Sequence, residues 1–600
     1  MLDCSEFEVL RAYANEEGAT VDAIASSLAL PPKRVAAISR NLLSEGLLCS
    51  DGCLSDRGRA ELESYRVKSA VILAAGVGTR LAPFSFERPK ALLKVRGEVL
   101  IERLIRQLRE VGIEHIAVVT GYMKESLFYL EDAFGVSIVV NPDYAARNNH
   151  SSVWAARRFL DNTYIISSDQ YFGENIFHEY CFTSCCTVVP RVGDADELVV
   201  DMDERGCIVS AKHGNSVGGY ALQGPVFLDA NSSRTYLDLL EKEYGSPETL
   251  PKSWDEVLAG HIDDLPLYAE KLPLGVITEF DFLTDLVAFD SDFFANVDSG
   301  ILDNISTVLA CTRDEISDVR PVKAGLTNLS TLFSVRGRKY IYRHPGSGTN
   351  ELINRKAETV ALNFAKEIGL DDTFIYENPD EGWKISLYID GCSELDYSDE
   401  DQVRRALELT RRLHQSGCVS PYRFDFLEEA NKIIALLEDR HYALPCDFGE
   451  LSGRISRLAV AMQSEAGDPV LCHNDLYGPN FLVRGNEMRL IDWEYAAMGD
   501  PACDLGNFVA QGSGYSVEQT LAILPLYFGR PATLFEERHC LAAVALVGWY
   551  WYVWAMYKEA LGNPMGEWLY IWYRSAKVFA AAAETRYGFD DSRCSFHADE

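Results

Sequence analysis

AVILAAGVGTRLAPFSFERPK, residues 70 to 90, runs from a short apolar stretch directly into a loop carrying two glycines, two arginines and a lysine. Ala70 to Ala74 reads as a buried strand, because a brief β-branched run bounded by glycine is too short for a helix. Gly76 and Gly78 follow at once, so backbone amides can approach and cradle phosphate oxygens with no Cβ in the way. Two familiar loops are excluded. A P-loop needs a second glycine followed by Lys and Ser or Thr, and the dinucleotide fingerprint needs a third glycine where Leu81 stands.

Outward from this loop, IAVVTGY, VSIVVNP and YIISSDQ repeat the strand pattern, and VLIERLIRQLREVG has helical period. Strand, helix, strand in that order predicts a Rossmann-like α/β domain with a mainly parallel sheet over residues 67–297. Residues 298–600 open with strand-like TLFSVRG, KYIYRHP and WKISLYID and then become helix-rich, which predicts a small antiparallel lobe followed by a larger helical one. The uncharged run Leu541 to Tyr557 crowds its tryptophans into one half. That distribution fits a buried helix better than a membrane span, and no membrane partner is expected.

Residues 1–66 show three helical patterns followed by GLLCSDGCLSDRGRAELESYR, and resemble a winged helix-turn-helix module with Pro32 to Leu43 in the recognition position. That stretch carries only Lys33, Arg34 and Arg40 within an acidic segment, so DNA binding and a dimerisation or regulatory role both stay open. The whole chain has 600 residues, enough for about three or four domains. Its net charge of -34 repels nucleic acid and anionic lipid, so any phosphate site must be sharply local. Fifteen cysteines without a CxxC pair, behind a start that lacks signal-peptide regions, read as reduced thiols in a cytoplasmic protein.

The full pattern GxGTRLxPxxxxxPK, with Thr79, Arg80, Pro83, Pro89 and Lys90 at set distances, resembles the signature of nucleotidyltransferases that join a nucleoside monophosphate to a phosphorylated small molecule. The resemblance implies that Leu73, Ala75, Gly76, Gly78, Thr79, Arg80 and Lys90 bind CTP. Arg80 and Lys90 are the expected catalytic groups, stabilising charge on the α-phosphate and the departing pyrophosphate. A magnesium ion needs hard oxygen ligands, and Asp169, at the end of the strand YIISSDQYF, is expected to supply one. Asp281 in EFDFLTD is expected to supply another, in a stretch that resembles the E-x-D-x-x-x-D ending of bacterial phosphocholine cytidylyltransferases. ARNNHSSVWAAR resembles the Asn-Asn-x-x-Ser segment of the same branch and implies a phosphocholine contact for Asn149, while Ser168-Asp169 replaces the Gly-Asp usual in sugar nucleotidyltransferases. The choice between CTP and UTP stays open.

A second phosphate site stands at 472–508, CHNDLYGPNFLVRGNEMRLIDWEYAAMGDPACDLGNF. Asp475 and Asn480 have the D-x4-N spacing of a kinase catalytic loop, with Asp492 following. One carboxylate there accepts the proton of the attacking hydroxyl, while the amide and the second carboxylate hold magnesium on a triphosphate. With Asp-Trp-Glu in place of Asp-Phe-Gly, the string resembles the choline and ethanolamine kinase family, as do AGLTN at 324–328 and YRHPGSGTNELINRKAE at 342–358. The resemblance implies an ATP site at Thr327, Asn328, Arg343 and Glu358, with Arg343 in the place of the nucleotide lysine. A quaternary ammonium is recognised by aromatic faces, at about 0.5–2 kcal/mol per contact. The family's cage implies choline contacts at Trp551, Trp554, Tyr570 and Tyr573, with Arg574 completing the match and Glu494 supplying negative charge.

Together the two sites predict phosphorylation of choline by ATP, then coupling of phosphocholine to CTP with release of pyrophosphate. Three alternatives remain open: the same pair of reactions on ethanolamine or another amino alcohol, a sugar-phosphate nucleotidyltransferase joined to an unrelated kinase, and a DNA-binding sensor built from degenerate enzyme domains. Oligomeric state is not indicated.

Overall fold

The computed structural model describes residues 2–16, 18–192, 197–214, 218–322, 328–346, 353–512 and 514–589. It divides into two compact units, Met1–Asp314 with Val319–Pro321, and Glu315–Asp318 with Val322–Glu600.

In the first unit the strand Ser69–Ala74 is buried along its whole length. It lies between His115–Thr120 and Thr163–Ser167, parallel to both, and Ser137–Val140 continues the parallel half. Beyond Thr163–Ser167 the sheet turns antiparallel through Tyr220–Leu228, which pairs with Cys185–Pro190 and Glu197–Met202. A strand buried on both faces needs a cover on each. Ile101, Leu104, Ile105 and Leu108 of the helix Leu100–Glu110 supply one, and Tyr236, Leu240, Trp254 and Val257 the other. The carboxyl ends of the parallel strands therefore bring the loops that begin at Ala75, Gly121 and Ser168 to one edge. Gly121 is required there: a Cβ would lie 2.8 Å from the Ala75 carbonyl oxygen.

The amino-terminal helices Cys4–Asn15, Val21–Ser27, Pro32–Ser44 and Asp56–Glu63, with a single bridge between Leu48 and Leu54, are part of this unit. Their core of Phe7, Leu10, Val35, Leu42 and Leu62 also contains Tyr180, with Phe182 packed against it. Arg66 closes the seam on Glu179 at 2.5 Å. Of the basic residues on Pro32–Ser44, Arg34 donates to Ser5 at 2.9 Å and Arg40 to the Ala36 carbonyl at 3.2 Å. The expected break at 66 is thus crossed by a shared core, and the expected break at 297 is displaced as well. Helix Gly300–Leu309 stays with the first unit, because Ile301, Leu302 and Ile305 are buried and the Ile301 amide donates to Glu87 at 3.0 Å.

The second unit opens with a five-stranded antiparallel sheet in which Asn328–Val335, Arg338–Pro345, Lys384–Leu387 and Phe374–Glu377 are successive neighbours, backed by the helix Arg355–Glu367. The helical remainder is built around Leu534–Ala560. This helix is long and apolar enough to cross a membrane, with mean hydropathy 1.4 over its best window, yet that window is 100% buried inside the protein. Glycines let its neighbours approach: a Cβ on Gly506 would lie 2.7 Å from the Ala543 carbonyl, and one on Gly548 2.9 Å from the Ala576 amide. Gly506→Val is therefore expected to cost about 1–3 kcal/mol through overpacking, read as a lower melting temperature in calorimetry.

Candidate active sites

The glycine loop of the first unit turns on Gly78, whose φ of 65° is left-handed. A Cβ at Gly78 would come within 3.4 Å of the Lys90 side chain, so the loop lies directly on that lysine. Lys90 forms an ion pair with Asp169. Burial works against its charge, but Asp169 outweighs it and holds the ammonium above its ordinary value. The strand Ile277–Glu279 pairs antiparallel with Gln170–Phe172, and the Phe280 amide donates to the Asp169 carbonyl at 3.1 Å. That register brings Glu279 and Asp281 to Asp169. Burial, reinforced by Asp169 and Asp281, pushes Glu279 up to about 8. Asp169 is 6% exposed, and its Oδ1 is buried without a hydrogen-bond partner. Asp169, with its orphaned buried oxygen and with Glu279 and Asp281 acting on the same place, offers the hard oxygen chemistry that a divalent cation takes. Arg80 lies at the open edge, 3.1 Å from Asp281, with both side chains more than half exposed.

In the second unit Asp475 is held by two donors, Gln511 at 2.6 Å and Asn480 at 2.9 Å. Burial pushes Asp475 up to about 7, with Asp492 adding to the rise against those two hydrogen bonds. The loop that aims it is fixed from below. The amides of His473 and Asn474 donate to Asp504 at 2.8 and 2.7 Å, and His414 contacts the same carboxylate at 2.9 Å. Asn474 and Asp492 have φ of 63° and 64°, a backbone cost that such anchoring sustains.

A buried charge network faces this loop. Arg343 reaches Glu358 at 2.7 Å, Asp492 at 3.0 Å and Glu377 at 3.1 Å. Lys384, directly opposite Arg343 in the strand register, reaches Glu358 at 3.1 Å and Asp492 at 3.7 Å. Arg355 adds contacts to Glu358 at 2.9 Å and Glu494 at 3.7 Å. Burial opposes the Glu358 charge, but Arg343 and Lys384 hold its carboxyl well below the usual range. Burial pushes Glu377 and Glu494 up to about 8.

Behind Asp475 stands an aromatic cluster. Trp551 contacts Tyr495 at 5.5 Å, Trp554 at 5.5 Å and Trp572 at 5.7 Å between ring centroids. Trp568 stacks on Trp572 at 5.3 Å and meets Tyr477 of the catalytic loop at 5.7 Å. The indole nitrogens of Trp551, Trp554 and Trp572 are buried without partners.

Comparison with known proteins finds a family match for each part of the chain. Residues 70–200 match the MobA-like NTP transferase domain, and residues 318–535 match the phosphotransferase enzyme family. A choline-phosphate cytidylyltransferase of Streptococcus pneumoniae is 35% identical over 220 residues, covering 36% of this chain and 94% of that protein. The chain belongs to the MobA-like nucleotidyltransferase family. A 2-aminoethylphosphonate cytidylyltransferase of Lancefieldella rimae is 34% identical, over 38% of this chain and 93% of its own length. The crystal structure of the choline kinase LicA from Streptococcus pneumoniae is similar to the other part, with 26% identity, a TM-score of 0.41, and coverage of 47% of this chain and 98% of that one. The protein is thus a nucleotidyltransferase with a kinase-like phosphotransferase domain fused to it.

In the nucleotidyltransferase domain Gly78 lies against Lys90, Lys90 pairs with Asp169, and Asp281 pairs with Arg80. Leu73 and Ala75 are buried, Leu73 in the central strand and Ala75 just beyond its end. Thr79 begins the short turn Thr79–Leu81. Asn149 accepts the Trp254 amide at 2.8 Å, so its carbonyl is engaged within the fold. Glu279 was missed, although it opens the very stretch that supplied Asp281. In the kinase-like domain Asp475, Asn480, Asp492, Arg343, Glu358 and Glu494 lie around one network. Gln511 and Lys384 were missed, since neither falls within a spaced motif. Thr327 lies outside the described residues, and of Asn328 only the backbone is described, at the start of Asn328–Val335. Tyr570 is 63% exposed, and Tyr573 turns to Asp447, donating at 2.6 Å. On the helix Trp568–Tyr587 it is Trp568 and Trp572, four residues apart, that share a face with Trp551.

Proposed function

We propose that the kinase-like domain phosphorylates choline with ATP and that the nucleotidyltransferase domain then joins the resulting phosphocholine to CTP, giving CDP-choline and pyrophosphate. The observation that carries this reading is the coexistence in one chain of a complete Asp475–Asn480–Asp492 loop beside an indole cluster and a Lys90–Asp169–Asp281 centre. The first supplies what the second consumes.

In the kinase reaction Asp475 accepts the proton of the choline hydroxyl, held in line by Gln511 and Asn480. A group titrating near neutrality is well matched to that task. The indoles of Trp551, Trp554 and Trp572 offer π faces to the quaternary ammonium, and Glu494, which burial holds up to about 8, gives up its proton more readily once a cation is bound beside it. Asn480 and Asp492 would hold magnesium, which supplies neutralisation of the triphosphate charge. In the transfer reaction the glycine-loop amides hold the triphosphate of CTP, and Lys90 and Arg80 offset the charge that develops at the α-phosphate and on pyrophosphate. Asp169 and Asp281 would hold the metal there, with Glu279 behind them. A cytoplasmic protein would meet both nucleotides, which fits this reading.

The test is incubation of the full chain with magnesium, ATP, CTP and either choline or ethanolamine, with products resolved by mass spectrometry. CDP-choline from choline is expected. CDP-ethanolamine formed in preference would move the assignment to the primary amine. Phosphocholine without any CDP product would refute the second reaction.

A further inference from the structure

On that reading of the kinase-like domain, its amine site already has a cation of the protein's own beside it. Lys558, in the last turn of Leu534–Ala560, lays its ammonium 5.1 Å from the centroid of the Trp554 ring. Trp554 is itself 3% exposed, so few approaches to its face remain. A lysine in the last turn of a helix ordinarily turns its head to water or to the terminal carbonyls. Lys558 instead covers an indole, is half-buried, and makes no side-chain hydrogen bond or ion pair among the described residues. Lys558 therefore occupies a group that the choline reading assigns to the substrate, the Trp554 face. A cation–π contact selects for positive charge without regard to its owner, and one ring face does not hold two cations.

We propose that Lys558 is a tethered competitor at the amine site: an amino alcohol must displace its ammonium from Trp554, and this displacement sets how tightly the acceptor binds. The proposal rests on the kinase domain taking an amine acceptor. Apparent affinity is then the intrinsic affinity multiplied by the fraction of molecules in which Lys558 has withdrawn. A site built this way discriminates against weakly held amines and responds over a higher range of acceptor concentration than the bare aromatic cluster would.

The probe is tetramethylammonium, which has the cationic head of choline and no hydroxyl, titrated into the full-length protein by tryptophan fluorescence. Lys558→Met keeps the length and apolar stem of the side chain and removes the charge. Its dissociation constant is expected to fall about five-fold, within the range of one cation–π contact. Lys558→Arg retains a cation over the ring and is expected to keep the weak binding. The KM for choline should fall in Lys558→Met by the same factor. Equal or weaker tetramethylammonium binding in Lys558→Met, or no fluorescence response in any of the three proteins, overturns the proposal. Lys558→Gln repeats the test should the methionine variant melt early. If tetramethylammonium behaves as expected while neither choline nor ethanolamine is phosphorylated, the competition stands and the acceptor assignment fails.

Discussion

Asp475→Ala is expected to lower phosphorylation of choline by about 10³-fold or more, while conversion of supplied phosphocholine to CDP-choline proceeds at the unaltered rate. The carboxylate is the sole acidic group of its loop held by two side-chain amides, Gln511 and Asn480, and its removal takes away the proton acceptor while leaving the nucleotide network around Arg343 intact. A coupled assay for ADP and a separate one for pyrophosphate read the two reactions in the same preparation. Loss of both in a protein that melts normally would sink the assignment of independent sites. The pH profile carries the same information. Asp475 must be ionised to accept a proton, and burial holds it up to about 7 in the ligand-free protein. The acid limb of kcat/KM for choline should therefore rise with pH and level off at or below that value, since a bound cation favours the ionised form. In Asp475→Ala the limb should vanish from the residual rate.

Lys90→Ala is expected to produce the complementary loss. CDP-choline formation should fall by about 10²–10³-fold, the usual effect of deleting one fixed donor to a developing negative charge, and phosphorylation of choline should be untouched. The lysine has a second consequence, because it is the partner of Asp169. With it gone, Asp169 loses its ammonium partner, and a metal ion meets one positive charge fewer at the same place. The variant should therefore reach its residual activity at less magnesium, whereas loss of a merely distant structural residue would leave the magnesium dependence as it was. A titration of magnesium against pyrophosphate release separates the two. An unchanged rate of CDP-choline formation would remove Lys90 from the mechanism.

What the sequence disclosed followed from how local each feature is. The glycine loop and Lys90 lie within one short segment, and Asp475 with Asn480 within another, so each could be read from a contiguous pattern and the family it resembles. Asp169 and Asp281 are far apart in the chain, but Asp169 closes a strand-like run and Asp281 lies within a stretch that resembles a family motif. Glu279, Lys384 and Gln511 act through pairings that only folding creates: Glu279 opposite Gln170, Lys384 opposite Arg343, and Gln511 reaching Asp475 from the next helix. The aromatic cluster shows the limit most clearly. Tyr570 and Tyr573 satisfied a helical spacing, as did Trp568 and Trp572, and spacing does not reveal which of two faces on one helix turns inward. The boundary at 297 was misplaced for a related reason, since a short apolar helix carries no mark of which core it will join.

The aromatic seam at Phe7, Tyr65 and Phe182 gives the amino-terminal helices a particular standing. A reader head on a flexible tether can be exchanged between proteins or lost with little harm to its neighbour. These helices share an oily wall with the segment that leads into Cys185–Pro190, a strand of the catalytic sheet. Deleting them would leave Tyr180 and Phe182 bare to solvent, and anything that grips them would lean mechanically on the sheet that carries Asp169.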